Sequence, residues 1–256
     1  MMEWRDAGFV VAVRRHGESG LIVELLTRGH GRHLGLVRGG QSAKARPVLQ
    51  PGNAVAAAWR GRLAEHLGTL VCELVRAHAA RLIDDPDRLA GLSAAAALVA
   101  ATLPEREPHE DVFAAFAALL DALDSAADWP ARYVAWECSL LAALGFGLDL
   151  SRCAATGATA GLTYVSPRSG RAVSRDAGRP YHDKLLALPD FLWRDAVADD
   201  AGIDAGLRLT GHFLLHHVLL PQGRTLPPAR ARLAQRMQQR AARDRAAVNS
   251  RGDEEQ

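Results

Sequence analysis

The 256-residue chain has two lysines, Lys44 and Lys184, and three cysteines, Cys72, Cys138 and Cys153. The cysteines lie far apart and form no C-x-x-C pair, which argues against a disulfide framework and for a reducing compartment. No apolar run approaches the length of a membrane span. The N-terminus, with Glu3, Arg5 and Asp6, has no signal-peptide core. The expected location is therefore the cytoplasm, with no membrane contact. The sequence also lacks a G-x-G-x-x-G phosphate turn, a P-loop, an H-E-x-x-H pair and a nucleophile elbow, so neither an ATP-driven activity nor a hydrolase has a motif to stand on.

The most informative absence is local. Residues 25–64 contain no Asp or Glu, and Glu24 and Glu65 bound the gap. Within it stand Arg28, Arg32, Arg38, Lys44, Arg46, Arg60 and Arg62, with His30 and His33. Surfaces normally mix both signs, so a one-sign field of this length points to a polyanionic partner. Lysine is scarce and alanine abundant throughout, so the placement of charge, not the choice of arginine over lysine, is what counts. Residues 1–80 hold eleven Lys/Arg against six Asp/Glu, a balance of +5. Residues 82–129 hold two against ten, a balance of −8, and read as the solvated side of a helix bundle.

Taken in order, Phe9–Val13, Leu21–Leu26, His33–Val37, Ala54–Trp59 and Gly68–Val75 read as five short strands, with a long basic loop from Arg38 to Gly52. That count and spacing fit a small closed or half-closed barrel over residues 1–80, with Gly35 marking a bend or bulge. From residue 81 the composition turns helical. Helices are expected over Leu89–Leu103, Asp111–Ala127, Pro130–Leu144, Ala205–Leu220 and Pro227 to about Val248. An irregular insert occupies about 150–190, with two short strands near Leu162–Val165 and Arg171–Ser174, and 249–256 reads as a disordered tail.

Candidate nucleic-acid contacts are Arg15, Arg28, Arg32, Arg38, Lys44, Arg46, Arg60 and Arg62, with Trp59 either stacking on bases or packing in the barrel. In the last helix Arg230 and Arg232 are the better candidates, and the rest of its arginines read as a solvated face. His212 and His216 stand four apart without a carboxylate between them, so they read as packing or surface residues and not as a metal site. Cys72 and Cys138 sit in apolar contexts and read as core.

Five local phrases then converge: Gly31-Arg-His-Leu-Gly-Leu-Val-Arg-Gly-Gly40, Trp136-Glu-Cys-Ser-Leu-Leu-Ala-Ala-Leu-Gly-Phe-Gly147, Leu150-Ser-Arg-Cys-Ala-Ala-Thr-Gly157, Tyr164-Val-Ser-Pro-Arg-Ser-Gly-Arg-Ala-Val173 and Leu226-Pro-Pro-Ala-Arg-Ala-Arg232. In this order and spacing they resemble the RecO family of bacterial recombination mediators, from about Trp4 to Arg232. The resemblance implies an α+β chain: an N-terminal five-stranded OB-fold barrel, then a mainly helical domain over 81–248 carrying a zinc-finger-like insert. It also implies a role without catalysis: binding single- and double-stranded DNA, annealing complementary strands, and, with RecR, helping to load RecA at the nucleoid. A further implied partner is the C-terminal tail of the single-stranded-DNA-binding protein, taken by the helical domain. Some family members hold zinc with four cysteines in the insert. Here only Cys153 stands at such a place, with Thr156, Gly157 and Ser174 around it, so no metal and no cofactor is expected. The alternative reading is an interaction scaffold whose helical domain recruits a partner peptide.

Overall fold

The computed structural model describes the backbone of residues 1–254 and the side chains of residues 1–246. The chain forms two compact units, residues 1–126 and 127–256. In the first, β1 (Met2–His16), β2 (Gly20–Thr27), β3 (Gly31–Val37), β4 (Ala54–Gly61) and β5 (Thr69–Arg76) close into a barrel in the order β1-β2-β3-β5-β4. This is the OB arrangement. β1 serves two partners: its first half pairs with β4 and its second half with β2. The register shift that lets it turn from one to the other lies between Val10 and Ala12.

Of the bend or bulge expected at Gly35, the bulge is absent: the β2–β3 register runs through that residue unbroken, with Val23 opposite. Its lack of a side chain serves a close approach instead. A Cβ there would fall 2.6 Å from Leu70 Cβ and 3.3 Å from the Trp59 ring. The barrel interior is filled by Val10, Val23, Leu25, Val55, Ala57, Trp59 and Leu70, with Leu49 from the β3–β4 loop closing one end.

Three helices complete this unit: α1 (His78–Arg81), α2 (Pro86–Thr102) and α3 (Glu110–Ser125). The Asp85 side chain caps α2 by accepting from the N–H groups of Asp87 and Arg88. Arg88 then turns to the end of α3, donating to Leu123 O at 2.6 Å and Ala126 O at 3.0 Å, where helix carbonyls lack partners. Phe113 and Phe116 of α3 meet Phe9 of the barrel at ring separations of 5.1 and 5.4 Å. That packing is why the compact unit runs to residue 126, well past the last barrel strand. The acidic middle is not wholly solvated either. The Asp124 side chain is 1% exposed and accepts from Arg76 at 2.7 Å, with Arg81 at 3.2 Å and His78 at 3.3 Å.

The second unit contains α4 (Trp129–Ala143), a small sheet of β6 (Leu162–Val165), β7 (Ala172–Ser174) and β8 (Leu186–Ala187) in the order β7-β6-β8, the short α5 (Arg175–Gly178), and α6 (Asp200–Phe213). A turn of π-helix, Leu214–Leu219, continues α6, and α7 spans Pro228–Glu254. α7 thus passes the end anticipated near Val248. The tail anticipated over 249–256 falls on positions whose side chains, and at 255–256 the backbone too, lie outside the described residues.

One glycine locks the β2–β3 turn against the α2–α3 connection. Gly31 has φ +63°, and a Cβ there would fall 2.1 Å from Glu107 O. Gly39, with φ +65°, has open space around it. Gly39→Ala should cost about 1 kcal/mol from backbone strain alone. Gly31→Ala should cost at least ~2 kcal/mol more, because the connection must move. Urea unfolding of both variants measures the difference; equal losses would mean that the connection yields without cost.

Candidate nucleic-acid interface

The barrel topology gathers cations from segments distant in sequence. β3 ends beside the β4–β5 loop, residues 62–68, where Leu36 N–H donates to Gly68 O at 3.1 Å. The chain then turns back to the β1–β2 turn: Gln41 N–H donates to Ser19 O at 3.1 Å, and the Gln41 side-chain amide donates to Gly17 O at 3.3 Å and Gly20 O at 3.1 Å. Arg38 therefore lies between the two loops that flank the binding face of an OB barrel. Arg15 comes from the end of β1, Lys44 and Arg46 from the β3–β4 loop, and Arg62 from the β4–β5 loop. All are exposed, and none has a carboxylate partner among the described residues. Arg14, one residue before Arg15, is exposed at the same strand end and belongs with them. Its place beside Arg15 before a glycine turn was the sequence signal for it. Arg15 and Arg46 line one groove with Val13, Leu21, Gln41 and Leu49. Glu18 and Glu65 are the acids at this end.

The loop carrying Lys44 and Arg46 is held in place. Asn53, 1% exposed, donates from its amide to Pro47 O at 2.8 Å and accepts on Oδ1 from Ala79 N–H at 3.3 Å. Gly52 N–H donates to Val10 O at 2.7 Å. The cations thus project from fixed backbone, which lowers the ordering cost of binding.

The remaining expected contacts divide. Arg60 is exposed but bonds Glu3 at 2.7 Å. Arg28 is exposed at the β2–β3 turn, the far end of the hairpin, with its guanidinium 5.3 Å from the Phe113 ring centre. Arg232 is exposed on α7. Arg32 and Arg230 depart from the expectation, and Trp59 falls on the packing side of its two readings. Arg32, with its side chain 11% exposed, pairs with Glu24 and donates to Leu103 O at 2.7 Å. Its charge is spent inside the fold. Trp59 is 2% exposed and donates its indole N–H to Leu67 O at 2.9 Å, so it packs in the barrel and offers no face to a base. Arg230 is 1% exposed. It pairs through two nitrogens with Glu137 of α4 and donates to Leu207 O of α6 at 2.7 Å. Burial alone would lower its pKa, but the Glu137 charge and hydrogen bonds outweigh that and raise it, so Arg230 is a buried cation that ties α7 to α4 and α6.

Aromatic rings cluster at the start of β1. Trp4 stacks on Trp59 (6.0 Å, 14°) and on His30 (4.3 Å, 12°), and His33 meets both indoles edge-on at 5.0 Å. His33 is 5% exposed, and neither ring nitrogen has a hydrogen-bond partner among the described residues. Burial, then the charges of Arg106 and His30, lower its pKa to about 4.

In the insert, Cys153 is buried; Ser174 N–H donates to its Sγ at 3.2 Å, and Ser174 Oγ lies 3.4 Å away. Burial raises the thiol pKa, but hydrogen bonds from Ser174 and Thr156 bring it to about 6. One sulfur ringed by hydroxyls and N–H groups does not fit a four-coordinate zinc ion. Burial holds Cys72 and Cys138 near pKa 12, so neither is a thiolate. His217 bonds Pro167 O at 3.1 Å and packs on Phe213, while the His212 and His216 rings lie 4.5 Å apart; this cluster bears on the insert. Among the described residues no group of three His, Cys, Asp or Glu could hold a metal.

The family model for the N-terminal part of recombination protein O matches residues 1–78, and that for its C-terminal part matches residues 83–226. The DNA repair protein RecO of Rhodospirillum rubrum is 54% identical over 252 residues, 96% of this chain and all of that protein. That of Phenylobacterium zucineum is 55% identical over 237 residues, 92% of this chain and 98% of its own. That of Nitrobacter hamburgensis is 50% identical over 254 residues, 97% of this chain and all of its own.

Two outcomes test the assignments. Arg230→Ala strands Glu137 in the interior and should destabilise by about 3–5 kcal/mol, whereas Arg232→Ala on the same helix should change stability by less than ~0.5 kcal/mol. Thermal unfolding compares them, and similar losses would mean that Arg230 is not the anchor. For His33, the folded pKa lies below the unfolded value of 6.5, so the unfolded chain takes up the proton first as pH falls. Stability from this residue is complete above pH 6.5 and is lost as pH falls towards 4. His33→Leu should remove about 2 kcal/mol of the pH dependence between neutral and acid urea titrations. An unchanged pH profile would mean that His33 is not buried neutral.

Proposed function

Because the chain belongs to the RecO family of DNA repair proteins, we propose that it works as a recombination mediator by binding, with no bond made or broken. In this reading it holds single- and double-stranded DNA on the basic end of the barrel and anneals complementary strands. With RecR it helps to load RecA onto DNA coated by the single-stranded-DNA-binding protein, whose C-terminal tail docks on the helical part of the chain. The work is done in the cytoplasm at the nucleoid. Among the described residues no helix is long and apolar enough to cross a membrane.

One observation carries the reading: exposed Arg14, Arg15, Arg38, Lys44, Arg46 and Arg62, without carboxylate partners among the described residues, converge from three loops on one barrel end. Cations held there displace counterions from phosphates, which gives affinity independent of base sequence. Annealing needs that property, because any complementary pair must be served. Neutralised phosphates on two strands also repel each other less.

Salt titration tests it. With four or five phosphate contacts, log K on single strands should fall against log salt with a slope of about −3 to −4. Changing Arg15, Arg38, Lys44 and Arg46 together to Ala should bring the slope to roughly −1 and slow annealing about tenfold or more, with the unfolding midpoint unchanged. A flat salt dependence of the unaltered protein would sink the reading. Annealing that survives the quadruple change would move the site elsewhere.

A further inference from the structure

Charge alone gives the barrel no means of telling an unpaired base from a bare backbone, and its aromatic residues are few. In residues 1–126 Phe9, Trp59, Phe113 and Phe116 are buried, and Trp4 is the one Phe, Tyr or Trp that is not. Trp4 does not present a bare face, because His30 lies on it. The three rings form a column: Trp59 at the base, Trp4 at 6.0 Å and 14°, then His30 at 4.3 Å and 12°.

The top ring is fixed. His30 Nδ1 lies 3.0 Å from Asp6 Oδ2, and the Asp6 carboxylate itself accepts from Gly29 N–H at 2.7 Å and Ala7 N–H at 2.8 Å. The buried Thr27 hydroxyl accepts from His30 N–H at 3.1 Å and donates to Gly31 O at 2.9 Å, which sets the turn. With one face covered by Trp4, the His30 side chain is still 38% exposed, so its exposed area is the outward face and edge. Arg28, two residues earlier in the same turn, is exposed without a carboxylate partner among the described residues.

We propose that the outward face of His30 is a stacking platform for an unpaired nucleobase of single-stranded DNA, which adds a fourth layer to the Trp59–Trp4–His30 column while Arg28 meets an adjacent phosphate. The proposal rests on the DNA-binding reading above. Base stacking tolerates any sequence, because every base has a π-face. A ring already held by Asp6 and Trp4 loses little rotamer freedom when a base lands on it. The site selects single strands, since paired bases keep their faces inside the duplex.

The test uses the full chain and two fluorescein-labelled strands of equal length, oligothymidylate and an abasic tetrahydrofuran strand. The unaltered protein should bind oligothymidylate more tightly. His30→Leu, which still covers Trp4 but lacks a π-face, should weaken oligothymidylate binding about fivefold and leave abasic binding unchanged. His30→Phe should restore the preference. Should His30→Leu not fold, His30→Gln, which still donates to Asp6, takes its place with the same expectation. A loss of equal size on both strands, or no loss on oligothymidylate, overturns the proposal. Salt-sensitive binding of the unaltered protein with no preference between the strands overturns it while leaving the DNA-binding reading standing; binding to neither strand overturns both.

Discussion

Closure of the barrel rests on one parallel contact. β3 and β5 pair only at Leu36 opposite Thr69, and Leu36 N–H donates to Gly68 O. Every other strand pair is antiparallel and extends over several residues. So short a seam depends on a missing side chain: Gly35 lets β3 come within reach of Leu70 and the Trp59 ring. Trp59 in turn fixes the β4–β5 loop through its bond to Leu67 O. That loop lies beside the end of β3 because the seam holds it there. That the strand end leading to Arg38 lies beside the loop that carries Arg62 is therefore a consequence of core packing, not of surface design.

The cations of the acid-free segment carry one sign in the sequence but serve two purposes in the fold. Arg32 sits near the turn of the β2–β3 hairpin, where Glu24 reaches it diagonally from β2, and its charge is consumed by that pair and by a helix-end carbonyl. Arg28, Arg38, Lys44, Arg46 and Arg62, in turns and loops, have no carboxylate partner among the described residues. Pairing requires an acid on a neighbouring element, and within 25–64 none exists, so the cations that find one reach across a strand or turn to Glu24 or to Asp6 and Glu3 of β1. Arg60 reaches Glu3 across the β1–β4 pair by the same logic, although an exposed pair of this kind contributes little and gives way readily to a phosphate.

Strands, helices and the basic segment were legible because each has a local signature: alternation, helical periodicity, and glycine or proline at the breaks. Trp59 was left between stacking on bases and packing in the barrel, and the face of β4 that it shares with Val55 and Ala57 decides for packing. The partners of Arg32, Arg230 and Asp124 were not legible. Arg230 meets Glu137 across 93 residues of sequence, and no spacing rule connects them. The stack of His30 on Trp4 joins residues 26 apart through strand pairing and a turn, and neither shows in the order of the letters.

Arg230 shows how a recurring phrase can mislead about role. In Leu226-Pro-Pro-Ala-Arg-Ala-Arg232 both arginines look equivalent, and a nucleic-acid reading favours both. The helix separates them. At the first turn of α7 Arg230 points inward to Glu137, which also accepts from the Thr210 hydroxyl, and that carboxylate joins α4, α6 and α7. Arg232, two residues on, is turned by about 200° around the helix and stays in solvent. Removing the water around a guanidinium is costly unless the carboxylate is already placed, so the pair specifies one docking of α7 more than it adds stability. The sequence around Arg230 is therefore constrained by the interior of the second unit, and DNA contact by α7 has Arg232 as its remaining candidate from that phrase.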